Sequence, residues 1–202
     1  MNVTRRATLA ALVLAGLASP PAAAVPGSAE AFVQELGDRT LTVLEQPTEP
    51  AAKLVELKAL LDEATDLELV SRLVLGRYWR EASPAQQADY VALFKELVMQ
   101  TMAERFSWYT GETFEILGEK PVDERDTMVS TRILRPAGKA PILVDWRVRL
   151  GERGHLLIDI LAEGVSLVVT QRAEVAEVVN QRGIDGLLAE MRDRLAQRAQ
   201  PS

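Results

Sequence analysis

Ile142-Leu143-Val144-Asp145-Trp146-Arg147-Val148-Arg149-Leu150-Gly151-Glu152-Arg153-Gly154-His155-Leu156-Leu157-Ile158-Asp159-Ile160 is the stretch that decides the fold class. Apolar and polar residues alternate up to Leu150, the period of a half-buried strand. A four-residue turn, 151–154, follows, and a second β-rich run covers 156–170. Two strands joined by so short a turn must lie antiparallel. Upstream, residues 113–117 and 128–134 read the same way, and Pro136-Ala137-Gly138-Lys139 joins the latter to Ile142. Gly164 inside the last run marks a bulge or bend. The expectation is an antiparallel sheet of about four strands.

Helical periodicity flanks the strands on both sides. Ser28 can cap a helix carrying Phe32, Val33, Leu36, Thr40, Val43 and Leu44, which Pro47 and Pro50 end. A second helix is expected over 51–62, with Leu54, Leu57 and Leu61 as its stripe. A third starts at Thr65-Asp66, aligns Leu69, Val70, Leu73 and Val74, and stops at Gly76. Ser83-Pro84-Ala85-Gln86 is a helix start with a capping hydroxyl, a first-turn proline and a glutamine able to reach back. The helix it opens is the longest, with Tyr90, Leu93, Phe94, Leu97, Thr101, Met102, Phe106 and Tyr109 in register. Residues 174–181 and 184–197 form the last helices, broken at Gly183. Helices, then strands, then helices make an α+β domain with helices packed on an antiparallel sheet.

The first 24 residues read as an export signal. Arg5-Arg6 precedes an apolar run over 7–18, then Ser19-Pro20-Pro21 and Ala22-Ala23-Ala24. That order of basic head, short apolar run and small residues is a secretory signal. Thr4-Arg5-Arg6-Ala7-Thr8-Leu9 also fits a twin-arginine signal loosely, so both export routes stay open. The expected domain is therefore 25–202, in the periplasm. Cleavage after Ala24 removes two of the 23 basic side chains and none of the 29 acidic ones, taking the formal charge from −6 to −8. Such an acidic chain is not expected to seek nucleic acid. With no cysteine and only His155, thiol chemistry and Cys- or His-rich metal sites are excluded.

Four segments carry a family resemblance. Leu75-Gly76-Arg77-Tyr78-Trp79-Arg80, Val144-Asp145-Trp146-Arg147, Glu163-Gly164-Val165-Ser166-Leu167 and Gly183-Ile184-Asp185-Gly186-Leu187 occur in this order. They resemble the "LGRYWR", "VDYR", "EGVSL" and "GxxGL" segments of the MlaC family, periplasmic carriers of phospholipid. Two departures stand out: His155 occupies a position where that family has tryptophan, and Gln171-Arg172-Ala173 keeps only the arginine of an Arg-Ser pair.

The resemblance implies a binding protein and not an enzyme. A phospholipid would sit with its tails between sheet and helices and its headgroup in solvent, with no cofactor besides this cargo. It implies partners too: an inner-membrane ABC transporter complex with its lipid-binding subunit, and an outer-membrane lipoprotein complex. The carrier is expected to be a monomer. Shielding two tails of about 16 carbons involves about 25 kcal/mol, at about 0.8 kcal/mol per methylene. Val144, Trp146, Val148, Ile158 and Ile160, with Val165 and Leu167 beyond them, are the expected strand wall. Phe94, Leu97 and Phe106 are the expected helix wall. Core packing selects the same residue types. Trp79 either rims the cavity or, with Tyr78, locks the third helix onto the fourth.

Other readings attach to fewer residues. A rigid polycyclic cargo such as a hopanoid would favour a shorter, wider pocket. A small isomerase or hydrolase would need a buried, pKa-shifted acid, and Asp145, Asp159, His155 and Arg147 are the only candidates for chemistry. Asp145 and Arg147 share the face opposite Trp146, which suits an ion pair or a solvated face better. No Gly-x-Ser-x-Gly surrounds Ser166. Arg77, Arg80, Arg147, Arg149 and Arg172 could meet a phosphate at the cleft mouth or a partner's acidic surface, or simply be surface arginines.

Overall fold

A computed structural model describes residues 27–198, and the export signal expected over 1–24 lies outside the described residues. Helix α1 (Ala29–Glu45) starts at Ser28, whose hydroxyl accepts from Ala31 N at 3.0 Å. Helix α2 (Pro50–Ala64) has proline in its first turn. Helix α3 (Leu67–Leu75) is capped by the Asp66 carboxylate, which accepts from Leu69 N at 3.0 Å. It stops at Gly76, whose φ of 60° suits glycine. A single 3-10 turn, Gly76–Arg80, leads to α4 (Pro84–Phe106). The reciprocal cap expected there is formed: Ser83 Oγ accepts from Gln86 N at 3.3 Å, and Ser83 N donates to Gln86 Oε1 at 2.9 Å.

The sheet is an antiparallel meander in the order β1 to β5: β1 (Thr113–Pro121), β2 (Asp126–Leu134), β3 (Ile142–Gly151), β4 (Gly154–Ala162) and β5 (Val165–Ser166). It has five strands, where about four were expected. The deciding hairpin closes with Gly151 paired to Gly154. A register shift follows, since Arg147 pairs with Asp159 and Val148 with Leu157. The residue left over, Ile158, is a bulge. That breaks strict alternation, and Leu156, Leu157 and Ile158 are all buried in succession.

The run expected as strand over 156–170 ends early. Glu163 and Gly164 both take positive φ, 49° and 78°, in a tight turn, and β5 is only two residues long. Residues 167–170 begin helix α5 (Leu167–Arg198), although Val168, Val169 and Thr170 are β-branched. Polar caps override their propensity: Asp159 accepts from Val168 N at 3.1 Å, and Ser166 Oγ accepts from Val169 N at 3.0 Å. Helix α5 bends at Gly183, where φ 69° and ψ −179° interrupt the helical backbone.

The apolar residues divide into separate clusters. Helix α1 covers the β1–β3 part of the sheet, packing Ala29 and Val33 on Val129 and Val148. Helices α3, α4 and α5 form a second cluster around Val74, Leu75, Tyr78, Tyr90, Leu187 and Met191. Val43, Leu57 and Leu60 join α1 to α2. The gap between the helical cluster and β4 is where a site can exist.

Candidate functional site

That gap is a cavity of about 520 Å³. Leu61, Thr65, Leu67, Val70 and Val74 wall it from α2, α3 and their junction. Helix α4 supplies Tyr90, Phe94, Leu97, Val98, Thr101, Met102 and Arg105. Strand β4 supplies Leu157, Ile158, Asp159 and Ile160, and the two limbs of α5 close the remaining side with Leu167, Val168, Val175, Val178, Leu187 and Met191 among others. Three local devices hold this frame. Tyr78 Oη donates to Asn180 Oδ1 at 2.7 Å, tying the turn after α3 to α5. Arg172 donates to Leu73 O at 2.8 Å. Gln87 donates to Trp79 O at 2.7 Å, fixing the start of α4.

The wall is mostly hydrocarbon, but the buried Thr65 and Tyr90 hydroxyls reach it without a hydrogen-bond partner among the described residues, and Arg105, Arg194 and Arg198 lie on it together. Tyr90 is wholly buried, and burial pushes its phenol well above the usual range, so it stays neutral. Asp159 touches the cavity, but its carboxylate is engaged by Ile160 N, Val168 N and Ser166 Oγ at 2.8, 3.1 and 2.5 Å. An engineered cavity of about 150 Å³ admits one benzene ring, so about 520 Å³ offers room for roughly 20 carbons. A space of that size suits one long acyl tail.

The expected wall residues separate into two groups. Phe94, Leu97, Ile158, Ile160 and Leu167 border the cavity. Val148 and Trp146 lie with α1 instead, in the cluster with Ala29, Val33 and Val129. Val144 is buried beside Thr131, whose hydroxyl donates to Val144 O at 2.9 Å and accepts from Trp146 Nε1 at 2.9 Å. Phe106 packs on Val43, Leu57 and Leu60. Val165 is 58% exposed. Trp79 packs against the helical cluster, with the Arg72 guanidinium 5.1 Å from its ring centre. Valines and leucines of α3 and α5 complete the wall. The apolar stripe of α3 already pointed to Val70 and Val74, whereas nothing in α5 separated its lining residues from its packed ones.

The residues considered for catalysis do not converge. Asp145 accepts from Ser130 Oγ at 2.5 Å, while Arg147 pairs with Asp126 at 2.7 Å, so Arg147 takes Asp126 and not Asp145 as its partner. Asp126 is the one buried carboxylate among the described residues. Hydrogen bonds from Arg149 and Arg147 hold its carboxyl below the usual range, and it does not border the cavity. His155 lies across the sheet against Phe32, ring centres 6.0 Å apart. Arg77, Arg80, Arg147, Arg149 and Arg172 are all absent from the cavity wall. Among the described residues, no group of His, Asp and Glu could hold a metal ion, and no helix is long and apolar enough to cross a membrane.

Known proteins share this architecture. The family model described as "MlaC protein" matches residues 34–193. The intermembrane phospholipid transport system binding protein MlaC of Haemophilus influenzae is 27% identical over 135 residues, 65% of this chain and 63% of that protein. The match thus spans less than two-thirds of that relative. A solved structure of the phospholipid-binding protein from Ralstonia solanacearum, in complex with a phospholipid, is similar with a TM-score of 0.75. It is 26% identical, and the superposition covers 86% of this chain and 100% of that one.

Proposed function

This chain belongs to the MlaC family, and from that premise we propose that it carries phospholipid between two membranes. The observation that carries the reading is the cavity: a largely apolar chamber of about 520 Å³ between β4 and helices α2 to α5, with Arg105, Arg194 and Arg198 together on its wall. A phospholipid tail occupies the chamber, and the headgroup stays outside. The work is binding and release, with no bond made or broken. An acyl tail of about 16 carbons gains about 13 kcal/mol from leaving water, at about 0.8 kcal/mol per methylene. It gains almost nothing on moving from a bilayer into an apolar chamber, so exchange with a membrane is close to balanced. That balance is what a shuttle requires, since over-tight binding would prevent release.

The domain extends over 25–202 and works in the periplasm as a monomer. Its exchange partners are an inner-membrane ABC transporter complex with its lipid-binding subunit and an outer-membrane lipoprotein complex. Phe94, Leu97, Ile158, Ile160 and Leu167 meet the tail. The other expected residues (Trp79, Phe106, Val144, Trp146, Val148 and Val165) contribute to the frame around it. The reading is tested by mixing donor vesicles containing a fluorescent phospholipid with unlabelled acceptors. The protein is expected to accelerate transfer in proportion to its concentration. No acceleration, with the protein folded, would overturn it.

A further inference from the structure

Three arginines on the cavity wall come from the ends of two helices. Gln86 donates to Asp185 at 2.7 Å, Arg192 pairs with Asp89 at 2.9 Å, and Arg198 donates to Thr101 Oγ1 at 2.9 Å. These contacts advance in the same direction along both helices. Helix α4 and the second limb of α5 therefore run parallel and finish side by side. Their last turns bring Arg105, Arg194 and Arg198 to the cavity wall.

Helix C-termini carry partial negative charge, so arginines there have an ordinary structural use. The local pairing goes only part of the way to explaining them. Glu190 takes both Arg194, at 2.6 Å, and Arg182. Arg198 lies 3.5 Å from Glu104. Arg105 has no carboxylate partner among the described residues. The other two carboxylates on the wall are engaged elsewhere: Glu174 accepts from Gln171 at 3.0 Å, and Asp159 accepts from Ile160 N, Val168 N and Ser166 Oγ. Each guanidinium offers five N–H donors, and the side chains of Arg194 and Arg198 are 54% and 37% exposed. Three guanidiniums thus border one largely apolar cavity, and each has N–H donors beyond the contacts just named.

We propose that Arg105, Arg194 and Arg198 form a phosphate-binding subsite at the cavity mouth, and that they select cargo by its headgroup. The inference rests on the carrier reading above. A phosphodiester presents oxygens that planar guanidiniums grip in pairs. From Arg105 back to Tyr90 the helix rises about 22 Å, so a phosphate held at the mouth leaves a long tail pointing down the wall of α4. Glu190 holds Arg194 and Thr101 holds Arg198 in place beside the cavity. A lipid with net negative charge, such as phosphatidylglycerol, is preferred over one with the same tails and no phosphate.

The test compares retention of phosphatidylglycerol and of diacylglycerol with identical tails, each offered in neutral vesicles and read by native mass spectrometry. Wild-type protein is expected to favour phosphatidylglycerol. Arg105→Gln should reduce that preference about tenfold and Arg105→Gln/Arg194→Gln about a hundredfold, while Arg105→Lys restores part of it. Lys58→Gln, on the outer face of α2, serves as the control and keeps the preference. Thermal melting of each variant establishes that it is folded. Equal loss of both lipids, or an unchanged preference in the double variant, would overturn the subsite. Inorganic phosphate titrated against the ligand-free protein separates the two sources of the anion. Arg105-dependent phosphate binding with an unchanged lipid preference would assign the site to a free anion and overturn the headgroup role. A wild-type protein that retains neither lipid overturns the carrier reading itself.

Discussion

Replacing Val98 by phenylalanine puts a ring into the middle of the chamber wall. Val98 lies on α4 between Phe94 and Met102 and borders the cavity. Phenylalanine adds roughly four carbons to the side chain, in a space with room for roughly 20. Displacing about four methylenes of cargo at about 0.8 kcal/mol each weakens binding by about 3 kcal/mol, or about 200-fold. The assay is retention of phospholipid after incubation with vesicles, alongside thermal melting. The added ring occupies existing space, so the melting temperature of the ligand-free variant should stay within a few degrees of wild type. A companion, Val98→Ala, separates lining from core. Truncation into open space loses about 1–1.5 kcal/mol of transfer energy, without the further cavity term that a filled core adds. Phospholipid retention equal to wild type in Val98→Phe would refute the placement of the tail. Loss of folding in Val98→Phe, together with a cost above about 2.5 kcal/mol in Val98→Ala, would show that Val98 is packed core.

Three further variants probe the frame. Asp126→Asn should destabilise the fold by about 2–3 kcal/mol, below the usual range for a broken buried pair because Arg147 and Arg149 can partly hydrate; chemical denaturation reads this directly. The Asp126 carboxyl is held low, so its contribution is complete above the ordinary aspartate range and is lost as pH falls through the folded value. Acid melting should therefore be steeper in wild type than in Asp126→Asn. Gly183→Ala forces a side chain into a backbone region that favours glycine, although no atom obstructs it; about 1–3 kcal/mol of strain should appear in denaturation and change the rate of lipid exchange. Tyr78→Phe removes the 2.7 Å hydrogen bond to Asn180 and the acceptor of Arg77, leaving Asn180 only the 3.5 Å contact from Arg77; it should cost about 1–2 kcal/mol, with little effect on lipid retention.

Local signals made the helices legible. Ser28, Asp66, Ser83 and Gly76 each do what their chemistry suggests at a helix end. The hairpin at Gly151–Gly154 was equally plain, and it set the antiparallel sheet. The start of α5 was hidden, because Val168-Val169-Thr170 has strand propensity. Its helical state depends on Asp159, a cap nearly a strand away in sequence. The site was only half legible for a related reason. A period of two places Val144, Trp146 and Val148 on one face, but it does not say which helix covers that face. Helix α1 lies over Val148 and Trp146, leaving the β4 end to the chamber. The bulge at Ile158 also lay beyond any pattern of alternation. The arginines at the mouth were missed because they sit at the ends of two helices far apart in sequence, and only their parallel packing unites them.

The central claim is that the chamber between β4 and α3–α5 holds a phospholipid tail. Its most direct test is native mass spectrometry of the protein purified without detergent, with the released ligand identified by fragmentation. One added mass per chain that fragments as an intact phospholipid is expected, with loss of that adduct in Val98→Phe. A folded protein recovered only at its bare polypeptide mass, and still bare after incubation with phospholipid vesicles, would contradict it.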